Sequence, residues 1–460
     1  MKKEDLKLET IVALCKNRGF IFPGSEIYGG LANAWDYGPL GVLLKNNIRD
    51  AWWKRFVRGR GDMVGLDAAI LMNPKVWEAS GHVQNFNDPL IDCKSCKSRF
   101  RADHLIEEAA PGTDVSTMSL EDMSTFIVEK KIACPKCGEK NFTEARKFNL
   151  LFETALGTVE GQKQTVYLRG ELAQGMFVDF KRVLDSTHMQ LPFGIAQVGR
   201  VFRNEITPGN FTYRTLEFDL MEFEYFIHPQ DWEEKFEYWL TEMHSWLESI
   251  GISKESLRVR EHGKEELSHY SKKTVDIEYK TPFGWKELCG FAYRTDFDLK
   301  NHSEKSGQDL RMTDPKTNEK FFPHVLEPTF GLTRHMLFLL LECYDEETVK
   351  DEKRLVMRFP AYLAPYQVAV LPLSKKAELS AVAQPLAEAL RKKWSCDYDE
   401  TQSIGKRYRR QDEIGTPYCI TVDFETLNDH AVTIRDRDSM QQERIPIGKI
   451  EAYLAEKITA

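Results

Sequence analysis

Arginines, carboxylates and a phenylalanine recur at alternate positions in two short stretches of this chain. Gly199-Arg200-Val201-Phe202-Arg203-Asn204-Glu205 is followed by Arg214-Thr215-Leu216-Glu217-Phe218-Asp219-Leu220-Met221-Glu222. In an extended chain alternate side chains share a face, so Val201, Arg203 and Glu205 point together, as do Phe218, Leu220 and Glu222. Thr207-Pro208-Gly209-Asn210 is a turn signal between them. An antiparallel hairpin would therefore bring Arg203, Phe218 and Glu222 over one patch. A guanidinium grips phosphate oxygens through two parallel donors, and an aromatic face stacks on a purine. A carboxylate such as Glu222 binds an ammonium group, so the patch suits a nucleotide and a small cation. A plain amphipathic hairpin with surface ion pairs shows the same alternation. The full order Phe-Arg-x-Glu, turn, Arg-x-x-x-Phe is what separates the two readings.

A second chemistry-bearing pattern is Cys93-x-x-Cys96 with Cys134-Pro135-Lys136-Cys137-Gly138. Each tight turn aims two sulfurs at one point, which suits tetrahedral thiolate coordination of zinc. The interval between the pairs exceeds that of a minimal zinc ribbon, so a structural zinc and four free thiols both stay open. A closed four-thiolate site has no open position and would not be catalytic. The odd total of nine cysteines speaks for reduced thiols in a cytosol rather than a disulfide framework.

These groups need a scaffold, and 460 residues allow two or three domains. Leu40, Leu44, Ile48, Trp52 and Phe56 recur every fourth residue after Gly38-Pro39 and predict an amphipathic helix. Ala109 to Ser124 is small, polar and aperiodic, and reads as mobile loop. From about 148 to 350 strands dominate, with helices expected over Asp231 to Leu247 and after Gly331. The Met336 to Leu341 run is apolar all round, hence buried, and too short to span a bilayer. Pro360 to Pro365 reads as a linker. Beyond it, strands over Gln367 to Leu371 and Tyr418 to Val422 flank a helix over Lys375 to Trp394, an α/β pattern. The N-terminal Met-Lys-Lys-Glu-Asp precedes no apolar run, so no signal peptide is expected. Net charge is −8, while residues 354–460 carry 16 basic and 15 acidic side chains. RNA contact must then be local, and Lys406-Arg407-Tyr408-Arg409-Arg410 is the candidate, against solvated surface as the alternative.

The paired stretches resemble motif 2 of the class II aminoacyl-tRNA synthetases. Asn204-Glu205-Ile206-Thr207-Pro208-Gly209-Asn210-Phe211-Thr212 is similar to the homodimeric glycyl type in particular, and the likeness runs from Tyr37-Gly38-Pro39-Leu40-Gly41 into the last hundred residues. Glu327-Pro328-Thr329-Phe330-Gly331-Leu332-Thr333-Arg334 resembles motif 3. The resemblance implies an α+β fold: a catalytic domain over 1–90 and 148–355 with an antiparallel sheet flanked by helices. It also implies a cysteine-bearing insertion over 91–147 and an α/β anticodon-binding domain over 360–460. The implied reaction is ATP-dependent activation of glycine and its transfer to tRNA-Gly, with Mg²⁺ accompanying ATP. A homodimer through the motif 1 helix is also implied, although an ordinary core helix has the same pattern.

By the same resemblance Arg203, Arg334 and Glu287 carry catalysis. ATP is held by Arg203, Asn204, Glu205, Tyr213, Arg214, Thr215, Leu216, Glu217 and Phe218. Glu287, Leu288, Gly331, Leu332, Thr333 and Arg334 complete that set. The amino acid meets Arg101, Glu171, Phe218, Asp219, Leu220, Met221 and Glu222, with Glu327, Pro328, Thr329, Phe330 and Gly331 opposite. Gly170, Leu172, Leu216, Leu220, Cys289 and Thr329 depart from the family's Pro, Thr, Arg, Gln, Glu and Ser. Val76 to His82 also matches the glycyl type, with no chemistry assigned. Two other functions compete: a class II synthetase for another small amino acid, and a synthetase-like nucleic-acid-binding protein without catalysis. The second need not retain Arg203, Glu205, Phe218, Glu287 and Arg334, all present here.

Overall fold

The computed structural model describes residues 6–459, apart from 116, 160 and 162. The first five residues and Ser116, which bear on the readings of the N-terminus and of the 109–124 interval, lie outside them. Seven strands form the central sheet: β1 (Met63–Gly65), β2 (Phe193–Phe202), β3 (Glu217–Ile227), β4 (Leu257–Glu261), β5 (Lys273–Thr281), β6 (Gly284–Thr295) and β7 (His324–Gly331). Their order is β4-β5-β6-β7-β3-β2-β1, antiparallel throughout except for β1 beside β2. The molecule is α+β, as the sequence implies.

Strand β3 shows how the sheet divides its labour. Met221, Phe223, Tyr225 and Ile227 enter the main core, where helices α1 (Pro39–Trp53) and α3 (Trp232–Ser249) also bury their apolar faces. Phe218, Leu220, Glu222, Glu224 and Phe226 take the opposite face by strand alternation. There the sheet meets α2 (Ala173–Thr187) and α4 (Phe297–Ser306) around Phe177, Phe180 and Leu299. Helix α5 (Leu332–Cys343) follows β7 directly and is buried all round except at Arg334. Five of the central strands run eight to twelve residues, long enough to carry side chains on both faces.

The predicted apolar stripe of α1 is fully used inside the chain. Leu44, Ile48, Trp52 and Phe56 have no exposed surface, and Phe56 meets Phe330 at 5.2 Å between ring centroids. Gly41 lets the helix approach, since a Cβ there would sit 1.9 Å from the Phe20 carbonyl oxygen. Truncating Trp52 to alanine would cost about 3–5 kcal/mol as a buried aromatic.

Three expectations need correction. The interval after Ala109 is partly helical: Leu120–Glu129 begins at a Ser119/Asp122 capping box and buries Met123 and Ile127. Pro360 to Pro365 is no loose linker, because Leu363 and Ala364 are fully buried and their carbonyls accept hydrogen bonds from Asn47. The basic run falls on a helix, Ile404–Ile414, but does not form an open cationic patch. Arg407 is buried and donates to the carbonyls of Pro372, Leu373 and Asp399, while Arg410 pairs with Asp399 and Tyr408 bonds Thr421. Spaced i, i+3 along a helix, Arg407 and Arg410 both face back onto the adjoining strands.

The C-terminal unit is a five-stranded mixed sheet with β8 (Val368–Pro372), β9 (Cys396–Tyr398), β10 (Tyr418–Val422), β11 (Ala431–Asp436) and β12 (Gln442–Pro446) in the order β9-β8-β10-β11-β12. Ala377–Arg391 packs on it as a helix through Leu379, Ala383, Ala387 and Leu390. Arg354 and Arg435 converge on buried Asp412, both at 2.8 Å, fastening this unit to the hairpin that precedes it.

Candidate active site

The pairing of β2 with β3 runs Phe202↔Glu217, Val201↔Phe218, Leu220↔Gly199 and Glu222↔Gln197. It does not close in one tight turn. After the Arg203 amide bonds the Leu216 carbonyl, residues 203–216 leave the sheet as a loop closed by a Gly209↔Arg214 bridge. The cause is aromatic: Phe211 packs edge-on to Trp35 at 4.7 Å and Tyr213 stacks near Phe338 at 6.0 Å. Those anchors tie the loop to the core, and Tyr213 forms part of the wall of a cavity open to solvent.

That cavity is lined by Arg203, Glu205, Tyr213, Arg214, Thr215, Phe218, Leu220, Glu287, Thr329, Gly331, Thr333 and Arg334, all expected from sequence, and by Thr212, which was not. The Arg203 guanidinium lies 5.4 Å from the Phe218 ring centroid and 5.2 Å from that of Phe86, and donates to the Gly170 carbonyl at 3.1 Å. Arg334 leaves the first turn of α5, stacks on Tyr213 at 4.6 Å and pairs with Glu287 at 2.9 Å. Glu287 opens onto the cavity; enclosure raises its pKa, but Arg334, Arg203 and Arg214 outweigh that and hold it below the ordinary value. Glu205 Oε2 and Arg214 Nη1 face each other at 3.7 Å, too far for a hydrogen bond, and neither atom has a hydrogen-bond partner among the described residues. Cations at three corners and two ring faces make a receptacle for a flat heterocycle bearing phosphates.

Other expected residues reach this space only through backbone or lie outside it. Met221, Leu288, Phe330 and Leu332 point into the core on the far side of the sheet. Asp219 accepts from Lys45 at 2.7 Å and Arg200 at 3.1 Å, while Glu217 pairs with Arg200. The Asn204 amide bonds the Leu150 carbonyl and Leu216 supplies its carbonyl to Arg203. Pro328 is buried in β7. Arg101 is held by Asp88 at 2.8 Å and Asp103 at 2.6 Å, beside Thr207 in a separate small depression.

Behind Thr329 the floor becomes acidic. Glu222 accepts from Thr329 Oγ1 at 2.8 Å and from the Leu172 amide at 3.0 Å. Glu327 accepts from Arg294 at 2.7 Å, and Glu171 accepts from His82 at 3.1 Å and Gln174 at 2.9 Å. Glu171 and Glu327 thus share Arg294, and Glu222 lies beside Glu327 with their oxygens within 4.8 Å. Arg294, His82, Gln174 and Asp298 were missed. Gln174 donates to both Glu171 and Asp298, and Arg294 spans Asp298 and Glu327. Arg294 did leave a signal, as a single cation directly after the apolar run Gly290-Phe291-Ala292-Tyr293. Burial pushes Glu327 up to about 8 and raises Glu222 as well, each reinforced by neighbouring carboxylates. Burial acts the same way on Glu171, but His82 and Arg294 prevail and hold it far below the ordinary range. The departures at Gly170 and Leu172 act through backbone atoms, whereas Leu220 puts an apolar wall on the cavity.

In the inserted segment the sulfurs of Cys93 and Cys137 lie 3.6 Å apart and those of Cys96 and Cys134 3.7 Å apart. All four fall within 4.8 Å of one another. Each turn closes through a backbone bond, Lys97 to Cys93 and Gly138 to Cys134, with Lys97 and Gly138 left-handed.

Comparison with known proteins agrees with this layout. Residues 157–344 match the tRNA synthetase class II core domain (G, H, P, S and T), and 367–457 match an anticodon binding domain. Residues 88–118 and 111–150 match glycyl-tRNA synthetase insertion domain 1. The glycine–tRNA ligase of Acetivibrio thermocellus is 58% identical over 455 residues, covering 98% of each chain. That of Clostridium acetobutylicum is 56% identical over 462 residues, covering 99% of this chain and all of its own. Among solved structures, prolyl-tRNA synthetase from Cryptosporidium parvum complexed with L-proline and AMP superposes with a TM-score of 0.59 at 14% identity, over 97% of this chain and 78% of its own, a likeness of fold. With relatives this similar along almost their whole length, and with core, insertion and anticodon-binding segments matched in order, the chain belongs to the glycine–tRNA ligase family of class II tRNA synthetases.

Proposed function

We propose that this protein activates glycine with ATP, giving glycyl-adenylate and pyrophosphate, and passes the glycyl group to the 3′ end of tRNA-Gly. One observation carries the reading: a cation-lined cavity with stacking faces shares a wall residue, Thr329, with a buried cluster of carboxyls, through its hydrogen bond to Glu222. Both nucleophiles come from substrates, so the protein's work is positioning and charge stabilisation. Arg203, beside Phe218, is placed to hold the α-phosphate and stabilise its extra charge. Phe218 stacks on the purine. Glu205 and Arg214, unsatisfied toward each other, take the adenine amino group and the γ-phosphate. Arg334 closes on the nucleotide from α5. Mg²⁺ entering with ATP supplies charge neutralisation on the phosphates, and Glu287 would hold it through a carboxylate oxygen.

Glu171, Glu222 and Glu327 receive the ammonium, and Thr329 borders the α-carbon. Every competing amino acid is bulkier than glycine, so a rigid recess rejects by clash and needs no editing domain. ATP–pyrophosphate exchange measured across the amino acids tests the assignment. Exchange with glycine alone is expected; exchange driven by serine, alanine or threonine instead would overturn it.

The supporting parts follow from the same reading. Residues 1–90 and 148–355 form the catalytic unit, 91–147 the insertion and 360–460 the anticodon-binding unit. The four cysteines hold a structural zinc: tetrahedral ligands at about 2.3 Å imply sulfur separations of about 3.8 Å, close to the spacings above. Two copies of the chain pair through the motif 1 helix α1, whose outer face leaves Val42 exposed; Ile27, Tyr28 and Leu31 are exposed apolar side chains as well. The protein works in the cytosol, where free thiols stay reduced. Among the described residues no helix is long and apolar enough to cross a membrane.

A further inference from the structure

One carboxyl in the acidic recess has no counterpart. Glu224 follows Glu222 on the same face of β3, has no exposed surface, and neither of its oxygens has a hydrogen-bond partner among the described residues. Each neighbour does have one: Glu222 has Thr329 and a backbone amide, while Glu327 and Asp298 share Arg294. The Arg294 donors are committed, Nη1 to Glu327 and both Nε and Nη2 to Asp298. Oxygens of Glu222, Glu224 and Glu327 lie within 4.8 Å of one another.

We propose that Glu224 is a positioning residue: as a neutral carboxylic acid it donates a hydrogen bond inside the trio and keeps Glu222 and Glu327 aimed at the substrate's ammonium. A buried carboxylate with no donor is costly, and crowded carboxylates relieve their repulsion by sharing protons. Burial and the nearby Glu327 drive the Glu224 pKa well above that of a free carboxyl. A neutral third acid also limits the charge of the recess, so that the arriving ammonium is matched rather than exceeded. The inference rests on the amine-binding role proposed for this recess.

The test uses the full-length enzyme in pyrophosphate exchange, reading the KM for glycine and for ATP separately, with thermal unfolding alongside. Wild-type exchange with glycine checks the underlying function by itself. Glu224→Gln keeps a neutral donor and should leave the glycine KM within about twofold of wild type. Glu224→Leu removes the donor and should raise it about tenfold or more, with the ATP KM little changed. A glycine KM in Glu224→Gln that rises as far as in Glu222→Gln would make Glu224 a charged ligand and overturn the proposal. So would an unaltered Glu224→Leu, or a glycine KM that tracks added divalent cation at saturating ATP–Mg²⁺. If Glu224→Leu does not fold, the glutamine variant decides alone.

Discussion

Nη1 of Arg294 stands 2.7 Å from Oε1 of Glu327, and both side chains are shut away from solvent. The same guanidinium reaches Asp298, four residues on at the start of α4, at 2.8 Å, and stacks 3.8 Å from the Tyr270 ring centroid. Strands β6 and β7 and helix α4 are thereby tied through one planar fork. Removing the guanidinium leaves the buried Glu327 and Asp298 carboxyls without their shared donor, so Arg294→Ala should lose about 3–5 kcal/mol in urea unfolding. Lysine lacks the fork and should not restore it. A loss below about 1 kcal/mol would show that the tie holds nothing together.

The recess should make both stability and glycine affinity depend on pH. A carboxyl raised from 4.5 to about 8, as at Glu327, binds more protons folded than unfolded. Its contribution stands in full below pH 4.5 and is lost as pH rises through about 8. The charged and titratable groups around it include Arg294, Glu222, Glu171 and Glu224, and an arriving ammonium adds positive charge that favours ionised carboxylates. Glycine binding should therefore release a proton, and the glycine KM should fall as pH rises toward that value. Glu327→Gln should flatten the loss of stability over the same window. A KM for glycine that climbs with pH there would contradict the sign.

These properties were only partly legible in the sequence. Residues lining the cation-rich cavity, such as Arg203, Phe218 and Arg334, announce themselves because strand alternation and a buried helix fix their direction locally. The Asp231 to Leu247 helix and the Tyr418 to Val422 strand were equally plain, since periodicity reports burial directly. Arg294, Gln174 and His82 were not, because each is fixed by a partner far along the chain, Glu327, Asp298 and Glu171 respectively, and hydrogen bonds between buried polar groups impose no period. Gln174 meets Asp298 across 124 positions. Arg407 misled for a related reason: composition counts cations, but only the fold says whether they face solvent or a row of carbonyls.

Arg203 should be dispensable to the fold and indispensable to the chemistry. Its contacts are one bond to the Gly170 carbonyl and two ring faces, so its loss should change stability by only about 0.5–1.5 kcal/mol. Losing a preorganised donor at a developing charge typically costs about 100- to 1,000-fold in rate. Arg203→Ala should therefore abolish most adenylate formation at an unfolding midpoint near wild type. Arg203→Lys should recover little, since an ammonium lacks the paired donors. Near-normal exchange in Arg203→Ala would remove this residue from the reaction.

Zinc, if the four cysteines hold it, should stabilise the insertion without entering catalysis. A site of four thiolates is closed, and it lies in a cluster of its own with Ile91, Leu105, Ile106 and Ile127. Elemental analysis of protein purified without chelator should find one zinc per chain. Cys134→Ser should abolish binding, expose the Cys93 and Cys96 thiols to alkylation, and loosen the insertion in hydrogen exchange. Pyrophosphate exchange depends on the cavity walls, so it should fall less than that of any arginine variant. An equal collapse of exchange, with the sheet still protected, would instead mean that the insertion shapes the active site directly, through Arg101 and the Thr207 loop beside it.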